Sequence, residues 1–291
     1  MFKKYSSITN HYREEFIDPL LVHPQSQQRW FVKEKIHGSS VQVAVEEDDT
    51  TFIASRNRII QPDDNFFGVQ SVEDVIHVRK QLPEIKKYLG ATTVNFYGEL
   101  AGPGIQKGIN YGDVKQYFLF DLMIDGRYVG FPILSAVSET FDLKYLKSLY
   151  SGSLEDCLKY SNEFDSTILG IPDNVCEGIV ISPETPFYVG EHRAIIKSKN
   201  EKWTEKSRAK KTPKQKAVLT AEQLEFLDYI NENRVNAVIS KDPEVAKNFG
   251  KLTGLVIQDA LKEYKVETSK LLNKEVGKII KPFFLKNLRA D

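Results

Sequence analysis

Residues 30–45 read WFVKEKIHGSSVQVAV. Two runs of strand formers, Trp30 to Val32 and Val41 to Val45, enclose Lys33, Glu34, Lys35, Ile36 and His37, and the polar stretch is released into Gly38, Ser39 and Ser40. Strand alternation puts Lys33, Lys35 and His37 on one face and Glu34 and Ile36 on the other. The plain reading is a polar edge strand whose lysines discourage aggregation and which ends in a small-residue turn. The sharper reading makes Lys35 a nucleophile delivered into a cleft. Spacing alone does not choose, because a lysine three residues before a glycine occurs five times, starting at Lys35, Lys87, Lys247, Lys251 and Lys274. Four of these lie in helix-like or helix-end segments, where glycine is a common terminator. Only Lys35 closes a strand-like run. A lysine nucleophile must shed a proton, and a reference pKa of about 10.4 leaves only about one molecule in 2500 neutral at pH 7. Lowering it by about 3 units costs on the order of 4 kcal/mol, within reach of burial plus a neighbouring metal ion or further lysines.

Outward from this stretch, short apolar or alternating runs dominate residues 30–200: RWFVKEKI, SVQVAVEE, TTVNFYGEL, QYFLFDLMI, EGIVIS and AIIKSK. They predict strands, with helices over Val72–Leu89 and Ala136–Leu149 and a hairpin turn at Asp125-Gly126. The expected fold class is α+β, an antiparallel-sheet domain over 1–208. Between Lys197 and Lys216 nine Lys or Arg face two Glu with no apolar periodicity, which places a basic linker at 209–217. A small all-helical domain over 218–291 follows. Thr220 with Gln223 forms a capping box, Asp242-Pro243 fits an N-cap followed by proline, and KLTGLVIQDALKEY and SKLLNKEVGKIIKPFFLKNL read as helices.

Forty basic and forty acidic residues cancel, so local clusters carry any argument about partners. A hydrophobic content of 41% supports a real core. No run reaches the roughly 20 apolar residues of a membrane span, and the first residues lack a secretory core, so a soluble, cytoplasmic protein is expected. Two cysteines, Cys157 and Cys176, without CxxC or histidine at ligand spacing, argue against a disulfide framework or structural zinc.

Further clusters match the demands of Lys35. In AIIKSK, alternation places Lys197 and Lys199 on one face, where two ammonium groups repel unless the strand is an exposed edge or the pocket holds a polyanion such as a triphosphate. Glu99 follows a glycine at a strand end and Glu177 precedes one, positions from which a carboxylate can approach a ribose hydroxyl or a magnesium ion. Each alone is an ordinary turn residue. Phe118 and Phe120 fall on one face of QYFLFDLM with Asp121 on the other, suited to core packing or to stacking on a base.

The ordered series EKIHG, ASRNR, FYGELAGPGIQKG, YFLFD, EGIVIS and IIKSKN resembles the nucleotidyltransferase motifs of covalent polynucleotide ligases and capping enzymes. The likeness is greatest to the RNA ligase 2 family, phage-type enzymes that seal nicks in duplex RNA. MFKKYSSITNHY, GPGIQKGINYGD, NRVNAVISK and FGKLTGLVIQD extend it over nearly the whole chain. The resemblance implies an adenylyltransferase domain in which Lys35 attacks the α-phosphate of ATP and carries AMP as a lysyl adduct. By the same resemblance Glu34 through its backbone and Phe120 by stacking hold adenine, Glu99 contacts the ribose, and Arg56 binds nucleotide and the RNA end. His37 acts in the phosphate chemistry, Glu177 engages Mg2+ or Mn2+, and Lys197 and Lys199 neutralise phosphate. The implied partner is RNA, a nicked duplex or an RNA/DNA hybrid, and the enzyme is expected to be a monomer in the cytoplasm, the host's if the chain is viral. Departures include Ser182, where the family often has lysine, and the stretch Asp125 to Cys176, which has little likeness. The alternatives are an ATP-dependent DNA ligase or capping guanylyltransferase of the same superfamily, or a non-catalytic nucleic-acid-binding protein.

Overall fold

The computed structural model describes residues 2–203 and 221–264. The chain divides into two compact units, Met1–Asn200 and Glu201–Asp291. The expected linker 209–217, Thr220 of the capping box and the stretch SKLLNKEVGKIIKPFFLKNL, read from sequence as a helix, lie outside the described residues.

In the first unit the strands are β1 (Thr9–Asn10), β2 (Trp30–Glu34), β3 (Ser39–Val45), β4 (Thr51–Ser55), β5 (Val94–Ala101), β6 (Gln116–Ile124), β7 (Arg127–Tyr128), β8 (Ser148–Gly152), β9 (Gly178–Pro183), β10 (Tyr188–Val189), β11 (His192–Arg193) and β12 (Ile196–Lys199). Its helices are α1 (Glu14–Leu21), α2 (Glu73–Leu89), α3 (Phe131–Thr140) and α4 (Leu154–Lys159). One five-stranded sheet runs β1-β12-β9-β2-β8 and a second β4-β3-β5-β6-β7, with β10–β11 a small ribbon. Between these strands pairing is antiparallel except for β1 beside β12, so the α+β expectation holds.

Helix α2 shows how sequence writes this packing. Val75, Val78, Leu82 and Ile85 recur at spacings of three and four and are its buried residues. Glu73 and Asp74 occupy its first turn and Lys86 and Lys87 its last, complementing the helix dipole, and Gly90 ends it at φ 60°. Its apolar stripe joins Val41, Val43, Phe96, Leu119 and Leu122 in the largest core. A second core, around Leu20, Trp30, Ile179 and Ile196, covers the other face of the first sheet with α1 and α4. The two sheets meet across Tyr5, Tyr97, Phe120, Met123 and Val180.

Three expectations change. The helix read as Ala136–Leu149 runs Phe131–Thr140, and the residues after it lead into strand β8. Its apolar pattern continues past Thr140, which obscured the end, while Pro132 in the first turn marks the true start. Asp121 does not point away from Phe120. Tyr97 pairs with Asp121 and Gly98 with Leu119, so a bulge absorbs Phe120. Leu119 and Leu122 both enter the α2 core, and Phe120 and Asp121 both reach Tyr5 on the opposite face. Asp242-Pro243 opens a 3-10 turn rather than an α-helix, and the Asp242 side chain makes no cap bond.

In the second unit α5 (Ala221–Asp228), α6 (Glu232–Ile239) and α7 (Phe249–Tyr264) enclose Phe226, Val235, Val238, Leu252, Val256 and Ala260. Arg234 is buried there at 1% exposure, paired with Asp259 and Glu263 at 2.6 Å each. The described part is therefore helical, as the sequence suggests.

Candidate active site

Register builds the site. Lys33 of β2 lies beside Val180 of β9, which lies beside Lys197 of β12. One rung onward, the Lys35 N–H donates to the Gly178 carbonyl at 2.8 Å, and Gly178 lies beside Lys199. Strands about 4.8 Å apart put the Lys35 and Lys199 backbones roughly 10 Å apart, either side of β9. Glu177 fills the gap. Its Oε2 accepts from Lys35 Nζ at 2.6 Å, its Oε1 meets Lys199 Nζ at 2.9 Å, and His37 Nδ1 stands 3.7 Å from Oε2.

Burial alone would raise the Glu177 carboxyl, but Lys199 and then Lys35, helped by His37, hold it well below the usual carboxylate range. Glu99, on β5, goes the other way. Burial pushes it up to about 7 against the pull of Lys35, Glu177 adds like-charge repulsion, and Arg56 and the Gly38 amide oppose. Glu99, Glu177, Lys35 and Arg56 thus share one electrostatic neighbourhood, drawn from both sheets and from the exit of β4.

Two glycines permit the close approach. A Cβ on Gly38 would stand 2.2 Å from the Leu100 carbonyl oxygen. On Gly178, at φ +141°, it would stand 2.1 Å from the Ser198 carbonyl oxygen. Gly38 is needed for backbone packing between β3 and β5, a reason its turn-like context does not reveal.

The predicted residues do not all converge. Lys35, His37, Glu177 and Lys199 meet directly, with Glu99 and Arg56 coupled to them. Lys197 shares the face of Lys199, one rung away. The Glu34 side chain turns to the opposite side, where it accepts from Ser166 Oγ at 2.6 Å and from Thr167 N and Oγ1 at 2.8 and 2.7 Å. Phe120 sits in the bulge, its ring 5.2 Å from that of Tyr5 and its carbonyl accepting from Lys33 Nζ at 2.9 Å.

Sequence reasoning passed over several groups. Lys33 is 5% exposed, on the face predicted for it but sealed between the sheets. Arg193 binds Asp121 with both Nη atoms, and the Tyr5 hydroxyl donates to the same carboxylate at 2.7 Å. Tyr111 accepts the His37 N–H at 2.8 Å. Tyr111 and Tyr5 lie within stretches that carry the family likeness, which was the available signal; Arg193 had none.

Comparison with known proteins agrees with this architecture. A family model described as RNA ligase matches residues 28–199, and one described as T4 RNA ligase 2 C-terminal matches residues 213–283. Among solved structures, a mutant of Naegleria gruberi RNA ligase with ATP and Mn superposes at a TM-score of 0.53 with 16% identity, covering 69% of this chain and 57% of that one. The same protein with PPi gives 0.52 and 16%, with the same coverage. A mutant with AMP and Mn gives 0.51 and 17%, again over 69% and 57%. At these identities the likeness concerns the fold, and the chain spans little more than half the length of these relatives. With more than half of its residues matched by one model and much of the remainder by the second, the chain belongs to the RNA ligase family, in the RNA ligase 2 group.

Proposed function

We propose that the protein is an ATP-dependent RNA ligase that joins 3′-hydroxyl and 5′-phosphate RNA ends, in nicked duplexes or RNA/DNA hybrids, as a cytoplasmic monomer. The observation that carries this reading is the pairing of Lys35 and Lys199 with opposite oxygens of one buried carboxylate, Glu177. Ion pairs of this kind gain little as structural elements once desolvation is counted. They make sense where a polyanion will enter and share the cations.

The residues fit such a substrate. Lys35, Lys197 and Lys199 supply more positive charge than Glu177 balances, and backbone approaches closely at Gly38 and Gly178. Phe120 offers a ring for adenine, and the coupling of Glu99 and Arg56 to Lys35 and Glu177 supports their roles toward ribose and phosphate. The Glu177 carboxylate is a hard oxygen donor of the kind magnesium or manganese prefers and would hold the metal. When bound, the metal supplies charge neutralisation at the phosphates.

For reaction, Lys35 Nζ leaves Glu177, gives up its proton to solvent and attacks the α-phosphorus of ATP, forming the N–P bond as the bond to pyrophosphate breaks. The RNA 5′-phosphate then takes AMP from the lysine, giving a 5′-adenylated end. The adjacent 3′-hydroxyl displaces AMP and closes the phosphodiester. Each step is an in-line displacement, so positioning and charge compensation supply most of the acceleration. Lys199 and Lys197 hold phosphate oxygens, and His37 stands near enough to act in the transfers. The body over 1–208 performs this chemistry, joined by the basic stretch 209–217 to a helical part, 218–291, that helps engage RNA ends.

Mass spectrometry of protein exposed to ATP should find AMP on Lys35, and Lys35→Ala should slow strand joining on the order of a thousandfold or more. Label from GTP alone, an adduct elsewhere, or joining that survives Lys35→Ala would overturn the proposal. Matched nicked duplexes with RNA or DNA on each side of the break define the substrate.

A further inference from the structure

Lys35, Ile36 and His37 fall between β2 and β3, beyond the end of one strand and before the start of the next. Their backbone is held from both sheets. Lys35 N–H donates to Gly178, and the Gly38 amide bonds Glu99. Both partners belong to strands. The third support is different, because the His37 N–H donates to the Tyr111 hydroxyl, at 2.8 Å, in the loop between β5 and β6.

That loop has no ladder of its own, so something else must fix it. The Tyr111 side chain is 2% exposed, with its ring 6.4 Å from that of Phe118. Its neighbour Asn110 is locked to Asn174 in both directions: Asn110 N–H donates to Asn174 Oδ1 at 2.8 Å, and Asn174 Nδ2 donates to the Asn110 carbonyl at 2.7 Å. Asn174 is 8% exposed and closes an excursion of the chain in which Asp165 bridges Val175 and Ser166 N–H donates to the Asn174 carbonyl at 2.7 Å. The excursion is moored to the buried Glu34 carboxylate by Ser166 and Thr167. The contacts therefore form a closed circuit, from Glu34 through Ser166, Asn174, Asn110 and Tyr111 to His37. It begins one residue before Lys35 and ends two residues after it.

We propose that Tyr111 and Asn174 are positioning residues for the Lys35–His37 turn, fixing the nucleophile and His37 through the His37 amide. The inference rests on Lys35 being the adenylylated lysine. Tyr111 lies near enough to feel Glu177 and Glu99, but neither it nor Asn174 supplies a charge to the Lys35, Glu177 and Lys199 cluster, so their loss should misplace the nucleophile without removing a cation that attracts ATP. A misplacement of about 1 Å can cost on the order of a hundredfold in rate.

The test uses the full chain with ATP and magnesium, measuring formation of the lysine adduct over a range of ATP concentrations and the melting temperature. Tyr111→Phe keeps the ring and removes only the acceptor. It should slow adduct formation at saturating ATP by about tenfold while the apparent KM for ATP stays within about twofold. Asn174→Ala should act in the same direction. Asn174→Asp keeps an acceptor for the Asn110 N–H and should recover part of the rate. The double variant Tyr111→Phe with Asn174→Ala should be no slower than the slower single variant, since both act through one amide. Unaltered rates overturn the inference. So do rates that fall only in step with melting temperature, or effects that multiply in the double variant. A wild-type protein that forms no adduct on Lys35 overturns the functional reading instead, and the inference with it.

Discussion

Two clusters in the Met1–Asn200 unit gather more cations than anions around a buried carboxylate. Between the sheets, Asp121 faces Arg193 and Lys33; at the cleft, Glu177 faces Lys35 and Lys199. Asp121 is enclosed by donors: the Tyr5 hydroxyl, its neighbour's Leu122 N–H and the two guanidinium nitrogens, with Arg193 stacked 3.6 Å over the Tyr128 ring. Lys33 has no solvent to turn to, and burial lowers its pKa to about 8 despite the pull of Asp121. At the cleft, the Lys35 and Lys199 side chains keep 19% and 11% exposure. A sealed surplus of charge is relieved by a weaker grip on a proton. An open one can await a ligand.

Mutation should separate the two. Asp121→Asn strands a buried guanidinium and should cost about 3–5 kcal/mol of folding free energy, measured by denaturant unfolding. Lys199→Met should slow adduct formation by about tenfold to a hundredfold, or about 1.4–2.7 kcal/mol in barrier, because Glu177 keeps Lys35 as a partner while the phosphates lose a cation. Its melting temperature should move by only a few degrees; a large drop would mean that the cleft charges are structural after all. Lys33→Met should be the gentlest and of opposite sign, stabilising by about 1 kcal/mol at pH 7. Because the folded-state pKa is depressed, the wild type holds the Lys33 proton at a penalty below pH 8. It recovers that stability between about pH 8 and 10.5, where the unfolded chain alone is protonated. The advantage of the variant should therefore fade over this window, as followed by unfolding curves at stepped pH.

Much of this was legible in the residues. Alternation in QYFLFDLMI and EGIVIS located β6 and β9, and Asp125-Gly126, at φ 48° and 73°, made the expected turn between β6 and β7. The same alternation put Lys197 and Lys199 on one face. The bulge at Phe120 was hidden because period-two reasoning counts residues without seeing which partner each one meets. Strand order was hidden for the same reason: nothing local tells Lys35 that its neighbour is Gly178. The Glu34 carboxylate illustrates the limit well. The resemblance gave Glu34 a role through its backbone and said nothing of its side chain, which is engaged by Ser166 and Thr167, in a stretch with little family likeness. The resemblance named motif residues but was silent on what braces them.

The order β12-β9-β2 has a consequence for synthesis. Lys35 emerges from the ribosome early, whereas Glu177 and Lys199, which complete its surroundings, come from the far end of the same unit. Such non-local pairings close late. A nascent or truncated chain that stops before β12 carries Lys35 without Lys199, and so without the full set of partners that surrounds Glu177 in the folded unit.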